Sequence, residues 1–150
     1  MTRQRFAERQ MAENEIAAQI VDAAYKIHIK LGPGLLESVY LAVLAYELRK
    51  RGLVVDTERE LPVLYEEVRI EIGFRIDMIV EEKVIVELKS VEKLAPVHGK
   101  QLLTYLRLAD KRLGLLINFG EARIKDGIQR IVDQLAESGC TESSVVPARP

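Results

Sequence analysis

The order of elements readable in the chain is helix, helix, a meander of strands, helix, strand, which predicts an α/β or α+β sandwich with a mixed sheet. Three observations carry that prediction. Apolar residues recur at three-to-four spacing near the N-terminus. Short β-branched runs fill the middle of the chain. A leucine-rich helical segment followed by a continuous apolar run comes late.

The first helix runs from Glu15 to Leu31, with Ile16, Ile20, Ala24, Ile27 and Leu31 on one stripe, and Gly32-Pro33-Gly34 stops it. A second helix, Leu35 to about Arg51, carries Leu41, Leu44 and Leu48 and closes at Gly52. Beyond it the pattern turns extended: Leu61 to Tyr65, Val68 to Ile72, then Phe74 to Val80 and Val84 to Lys89. Pro62 cannot donate to a ladder, so the first of these belongs at an edge or a strand start. Pro96 opens a third helix whose apolar side is Leu102, Leu103, Leu106 and Leu108. Leu113-Gly114-Leu115-Leu116-Ile117 fits a fully buried strand. Ile128 to Val132 reads as a last strand, with a helix start as the alternative. Residues 1–13 and 135–150 are expected to be flexible, flanking one domain over 14–134.

The chain has 150 residues, 48% hydrophobic and 30% charged, the composition of one globular domain with a real core. No apolar run approaches the ~20 residues of a membrane span. The first residues lack the apolar stretch of a secretory signal. The single cysteine, Cys140, excludes an internal disulfide and a cysteine-based zinc site. A cytoplasmic protein is the expectation. Net charge is −1, but residues 1–88 hold 12 Lys/Arg against 16 Asp/Glu, and residues 89–130 hold 9 against 4. A basic stretch beginning where an acidic segment ends suits a phosphate-bearing ligand.

The chemistry concentrates in the hairpin formed by Phe74–Val80 and Val84–Lys89. Only Glu81-Glu82-Lys83 separates its strands, so pairing Val80 with Val84 sets Asp77 opposite Glu87. By alternation, Arg75, Asp77 and Ile79 would share one face, and Ile85, Glu87 and Lys89 another. Like charges placed opposite each other cost up to ~1 kcal/mol, so an acidic pair amid apolar neighbours points to a bound cation. Without cysteine or clustered histidine, hard oxygen ligands select Mg²⁺ or Mn²⁺. Such an ion polarises a phosphoryl oxygen and acidifies a water, and Lys89 would offset charge gathering at phosphorus. Phosphodiester hydrolysis follows as the reaction class.

Four further residues are candidates. Glu37 lies in the second helix's first turn, in line with Tyr40, Leu41, Leu44 and Leu48, which aims it at the interior edge; complementing the helix dipole is the competing role. Gln101 and Tyr105, four apart on the third helix, project side by side. His28 sits just before the glycine-rich break, within reach of the same pocket or in the core. Neither His28 nor His98 has a partner at zinc-ligand spacing.

Asp77 followed by Glu87-Leu88-Lys89 resembles the PD-(D/E)xK nuclease superfamily, with Ile76 where the nominal proline stands. Gly34-Leu35-Leu36-Glu37-Ser38-Val39-Tyr40 is a literal G-x-x-E-x-x-Y. With Leu31-Gly32-Pro33 before it and the stretch Gly114 to Gly120 later, the chain closely resembles the GxxExxY family from about Ile16 to Val132. The resemblance implies a restriction-endonuclease-like core, a mixed central sheet of about four strands flanked by helices. It also implies metal binding by Asp77, Glu87, the carbonyl of Leu88 and Glu37, with Lys89 catalytic, and Gln101 and Tyr105 match the Q-x-x-x-Y element of the RecB-like branch. Tyr40 and His28 are the remaining positioning candidates. The function expected is a Mg²⁺- or Mn²⁺-dependent nuclease acting on DNA, less so RNA, with a homodimer as a further expectation. The alternative is a non-catalytic nucleic-acid-binding or regulatory module on the same fold.

Overall fold

The computed structural model describes residues 10–135. The flexibility expected of residues 1–9 and 136–150, and Cys140 with it, lies outside the described residues. The elements are α1 (Glu13–Leu31), α2 (Glu37–Lys50), β1 (Val55–Tyr65), β2 (Val68–Val80), β3 (Val84–Lys89), α3 (Pro96–Ala109), β4 (Leu113–Asn118) and β5 (Ile128–Val132), with a short 3₁₀ turn at Ile124–Gly127 before β5. Met11, just ahead of α1, packs against the core, as does Leu135 beyond β5.

The sheet has five strands in the order β1-β2-β3-β4-β5. Only β3 and β4 are parallel, because α3 crosses over between them; the other neighbours are antiparallel. The order and mixed character match the expectation, with one strand more than the four foreseen. The strand expected from Leu61 begins earlier, at Val55. Its charged stretch Asp56-Thr57-Glu58-Arg59-Glu60 hides a strand whose side chains meet solvent and ion-pair locally, as Arg59 does with Asp56 and Glu82. Pro62 does sit on an edge strand. Ile128–Val132 is a strand.

The sheet separates two apolar layers. Ile16, Ile20, Ala24 and Ile27 of α1, with Tyr40, Leu44 and Leu48 of α2, pack on Met78, Val86, Leu88, Leu115 and Ile117. Leu102, Tyr105 and Leu106 of α3 pack on Ile79, Ile85 and Leu116 from the other side. Every residue of β4 is buried, since both faces are covered. Gly114 belongs to this contact: a β-carbon there would lie 3.0 Å from Leu102. Two stripe residues depart from expectation, Leu31 (42% exposed) and Leu108 (36%), each in the last turn of its helix, where the axis has run past the sheet. Leu41 is only partly buried.

Val68–Ile72 and Phe74–Val80, which read as separate strands, are one strand. Gly73 joins them where β2 passes a register shift between Leu61 and Val63 of β1. A β-carbon at Gly73 would lie 1.9 Å from the carbonyl oxygen of Leu61, so only glycine permits the approach.

Candidate active site

The Glu81–Lys83 turn pairs Val80 with Val84, Ile79 with Ile85 and Met78 with Val86. One step further, the ladder gives way to side chains. The Asp77 amide donates to Glu87 Oε1 at 3.1 Å, and the Leu88 amide donates to Asp77 Oδ2 at 2.8 Å. The two carboxyl groups thus fill the gap where β2 and β3 part, each held by the other strand's backbone. An extended residue directs its N–H and C=O to the same edge, so the Leu88 carbonyl also faces Asp77.

The expected face-sharing holds for Glu87 and fails for part of β2. Ile85 and Glu87 lie on the α3 side, but Arg75 is exposed while Ile76 is buried with Ile79. Ile76 and Met78, two apart, pack in different layers. The strand turns over at Asp77. Thr57 and Arg59 pair with the residues flanking Asp77, and Glu58 between them takes φ +55°, which marks the same twist on β1. A simple two-residue period cannot see a twist of this kind.

Burial dominates the electrostatics. It raises the Asp77 carboxyl above its ordinary range, against the opposing pull of the Leu88 N–H, the Glu87 carboxyl and the Lys89 charge. Burial, and then the Asp77 charge, push Glu87 up to about 8. A hydrogen bond between the two carboxyls adds to the rise at Glu87 and opposes the rise at Asp77, which makes Glu87 the acid that holds its proton towards neutral pH. Burial likewise raises the Tyr105 phenol, followed by the charges of Glu87 and Asp77. Tyr105 therefore floors the site from α3, and its ring tilts against Phe74 with centroids 5.0 Å apart.

Glu37 departs from the sequence reading. It is exposed, and it reaches the carboxylates only through charge, contributing to the rise at Asp77. Among the described residues no three His, Cys, Asp or Glu side chains converge closely enough to hold an ion. Glu37 is accordingly not brought into a ligand cluster with Asp77 and Glu87, because its position at the first residue of α2 leaves it at the rim. The donor set that fits a hard divalent cation is the carboxylate pair with the Leu88 carbonyl, water supplying the rest.

Tyr40 and His28 are directed elsewhere. Tyr40 is fully buried, its hydroxyl donates to the Gly32 carbonyl and accepts from the Leu35 amide at 3.2 Å, and its ring stacks on Phe119 at 4.3 Å. His28 is buried and its Nε2–H donates to the Glu121 carbonyl at 2.8 Å. Both hold loops rather than face the carboxylates. Gln101 is exposed one turn before Tyr105.

The residue that sequence reasoning passed over is Asn118, at the end of β4 opposite Lys89. It is fully buried; its Oδ1 accepts from the Val91 and Gly120 amides, both at 3.0 Å, and its Nδ2 donates to the Val91 carbonyl at 2.9 Å. A β-carbon at Gly120 would lie 2.2 Å from the Val91 carbonyl oxygen. Together they clamp the segment after Lys89 onto β4. Ser90 donates to the Leu35 carbonyl, tying the same segment to the loop before Glu37. The signal was present in Asn118-Phe119-Gly120, a polar residue closing an apolar run. Its role needed the partner loop to be known.

A mixed sheet with helices on both faces, and an acidic pair with a lysine where two central strands part, define a nuclease core of the restriction-endonuclease-like fold. The chain belongs to the PD-(D/E)XK nuclease superfamily, whose sequence model matches residues 14–131. No curated protein and no solved structure matches it. Among the described residues no helix is long and apolar enough to cross a membrane.

Proposed function

We propose that this protein is a Mg²⁺- or Mn²⁺-dependent nuclease hydrolysing phosphodiester bonds of DNA, and that within its superfamily it groups with the GxxExxY proteins. The observation that carries this reading is the pair of buried Glu87 and half-buried Asp77, two acids kept in contact by a proton on Glu87 that a cation would displace. Asp77, Glu87 and the Leu88 carbonyl would hold the ion, which supplies Lewis-acid polarisation of the phosphoryl oxygen and acidifies water when bound.

The chain's own groups do the rest. The Leu88 and Asp77 amides fix one oxygen of each carboxylate, leaving the others directed into the gap. Lys89, whose charge bears on both acids, sits to stabilise negative charge building on the phosphorane. Glu37 at the rim would accept a proton or orient water from the solvent side. Tyr105 excludes water from beneath the pair, and Gln101 lies where it would meet the nucleic acid. The superfamily supports a nucleic-acid substrate; DNA rather than RNA is our assignment.

The test is cleavage of supercoiled, linear and single-stranded DNA, and of RNA, with Mg²⁺, Mn²⁺ or EDTA, for wild type, Asp77→Asn and Lys89→Ala. Metal-dependent DNA cleavage lost in both variants supports the reading. Cleavage unchanged in either, or binding without cleavage on every substrate, would replace it with the non-catalytic alternative.

A further inference from the structure

The β1–β2 ribbon outgrows the rest of the sheet. β3 pairs with β2 only from Met78 to Val80, and α3 covers the ribbon as far as Leu61 and Phe74. Beyond that point Val63 pairs with Ile70 and Tyr65 with Val68, so these four side chains share one face, and Ile72 follows Ile70 one pleat along. Tyr65 is 68% exposed, Val68 57%, Ile70 41% and Ile72 90%. None belongs to either apolar layer. Arg69 and Glu71, which pair at 2.7 Å, lie on its other face with Leu64, and Glu66 and Glu67 form its turn.

A two-stranded ribbon is marginal in water by itself, and one with a wholly apolar face gains little from solvent. We infer that this face packs against the same face of a second copy of the chain, forming a two-fold dimer through the ribbons. Three observations select that occupant. The exposed side chains amount to on the order of 500 Å² of apolar surface, the upper end of what a monomer leaves open. Doubled across a two-fold with its rim, the surface approaches the ~1,200 Å² at which specific interfaces begin. An apolar face without charge is complementary to itself, as an isologous contact requires. Residues 62–73 carry three glutamates and one arginine, a balance that disfavours a phosphate backbone as the occupant. Pro62 takes one donor out of β1, which weakens edge-to-edge pairing there. The contact is face to face, at the ~10 Å spacing of packed sheets.

The inference does not rest on the catalytic reading, and its test needs no substrate. Light scattering coupled to size exclusion, at several concentrations with EDTA, would compare the full chain with Ile70→Glu and Ile72→Glu. Both positions are exposed, so the folded monomer tolerates the change; circular dichroism melts check it. A wild-type mass of twice 17.0 kDa that falls to 17.0 kDa in both variants is the expected result. A wild-type monomer at tens of micromolar, a species other than a dimer, or a dimer that survives both substitutions would overturn it. The first of these would leave the face to a different macromolecule.

Discussion

Replacing Glu87 with glutamine removes one of two acids that oppose each other while keeping the bond that orients it, since the amide oxygen still accepts from Asp77 N–H. The wild-type carboxyl titrates near 8 in the folded chain against 4.5 unfolded. Folding therefore takes up a proton between those values, so the associated stability is present below pH 4.5 and is lost as pH rises towards 8. At ~1.4 kcal/mol per unit, the loss by pH 7 is at most about 3 kcal/mol, and less where Asp77 shares the proton. Urea unfolding of metal-free protein from pH 5 to 8 should show wild type losing roughly 1–3 kcal/mol more than Glu87→Gln, the difference growing with pH. Mg²⁺ or Mn²⁺ should recover the wild type at pH 8 and leave Glu87→Gln almost unchanged. Parallel pH profiles for the two proteins would refute the reasoning, because they would mean that Glu87 is ionised as freely in the fold as in water.

Asp77→Asn should weaken Mn²⁺ binding by about tenfold or more in calorimetry, since it removes a charged ligand, while leaving the Leu88 N–H with an acceptor and the fold intact. Lys89→Ala should keep Mn²⁺ affinity but lower single-turnover cleavage by roughly 10²–10³, the scale for losing one charge-stabilising donor; equal loss of binding and rate would assign it to metal retention instead. Asn118→Ala leaves two amides and a carbonyl without their buried partner, and should cost about 2–4 kcal/mol in urea unfolding. Gly73→Ala should destabilise by about 1–3 kcal/mol, because Pro62 and the Leu61 carbonyl must retreat from the new methyl; a neutral result would mean that the ribbon is looser than its contacts imply.

The hairpin that carries Asp77 and Glu87 was legible because a three-residue linker between β-branched runs leaves little freedom of register. The burial of β4 was legible from its unbroken apolar run; its parallel pairing with β3 was not read, and came with the structure. What the sequence hid has physical causes. β1 was cut short because ion pairs such as Arg59–Glu82 let a charged segment lie on an edge. β2 was divided at Gly73, where the glycine marks a close backbone approach and not an end. The turnover at Asp77, which sends Ile76 and Met78 to opposite layers, breaks the period on which strand faces are judged. Glu37 was aimed inward by its stripe, yet the first turn of a helix that begins at the sheet's margin has no interior to enter. Tyr40 looked like a pocket residue from its place in the G-x-x-E-x-x-Y segment. Its hydroxyl is instead taken by Gly32 and Leu35, which makes it the support for the loop that presents Glu37.

A crystal of the protein grown with Mn²⁺, and its anomalous difference map, addresses the central claim most directly. A single strong peak bounded by the free oxygens of Asp77 and Glu87 and by the Leu88 carbonyl, and absent in Asp77→Asn, is the predicted result. A map with no peak between those strands, or with manganese bound elsewhere while the two carboxyls keep their mutual contact, would contradict it.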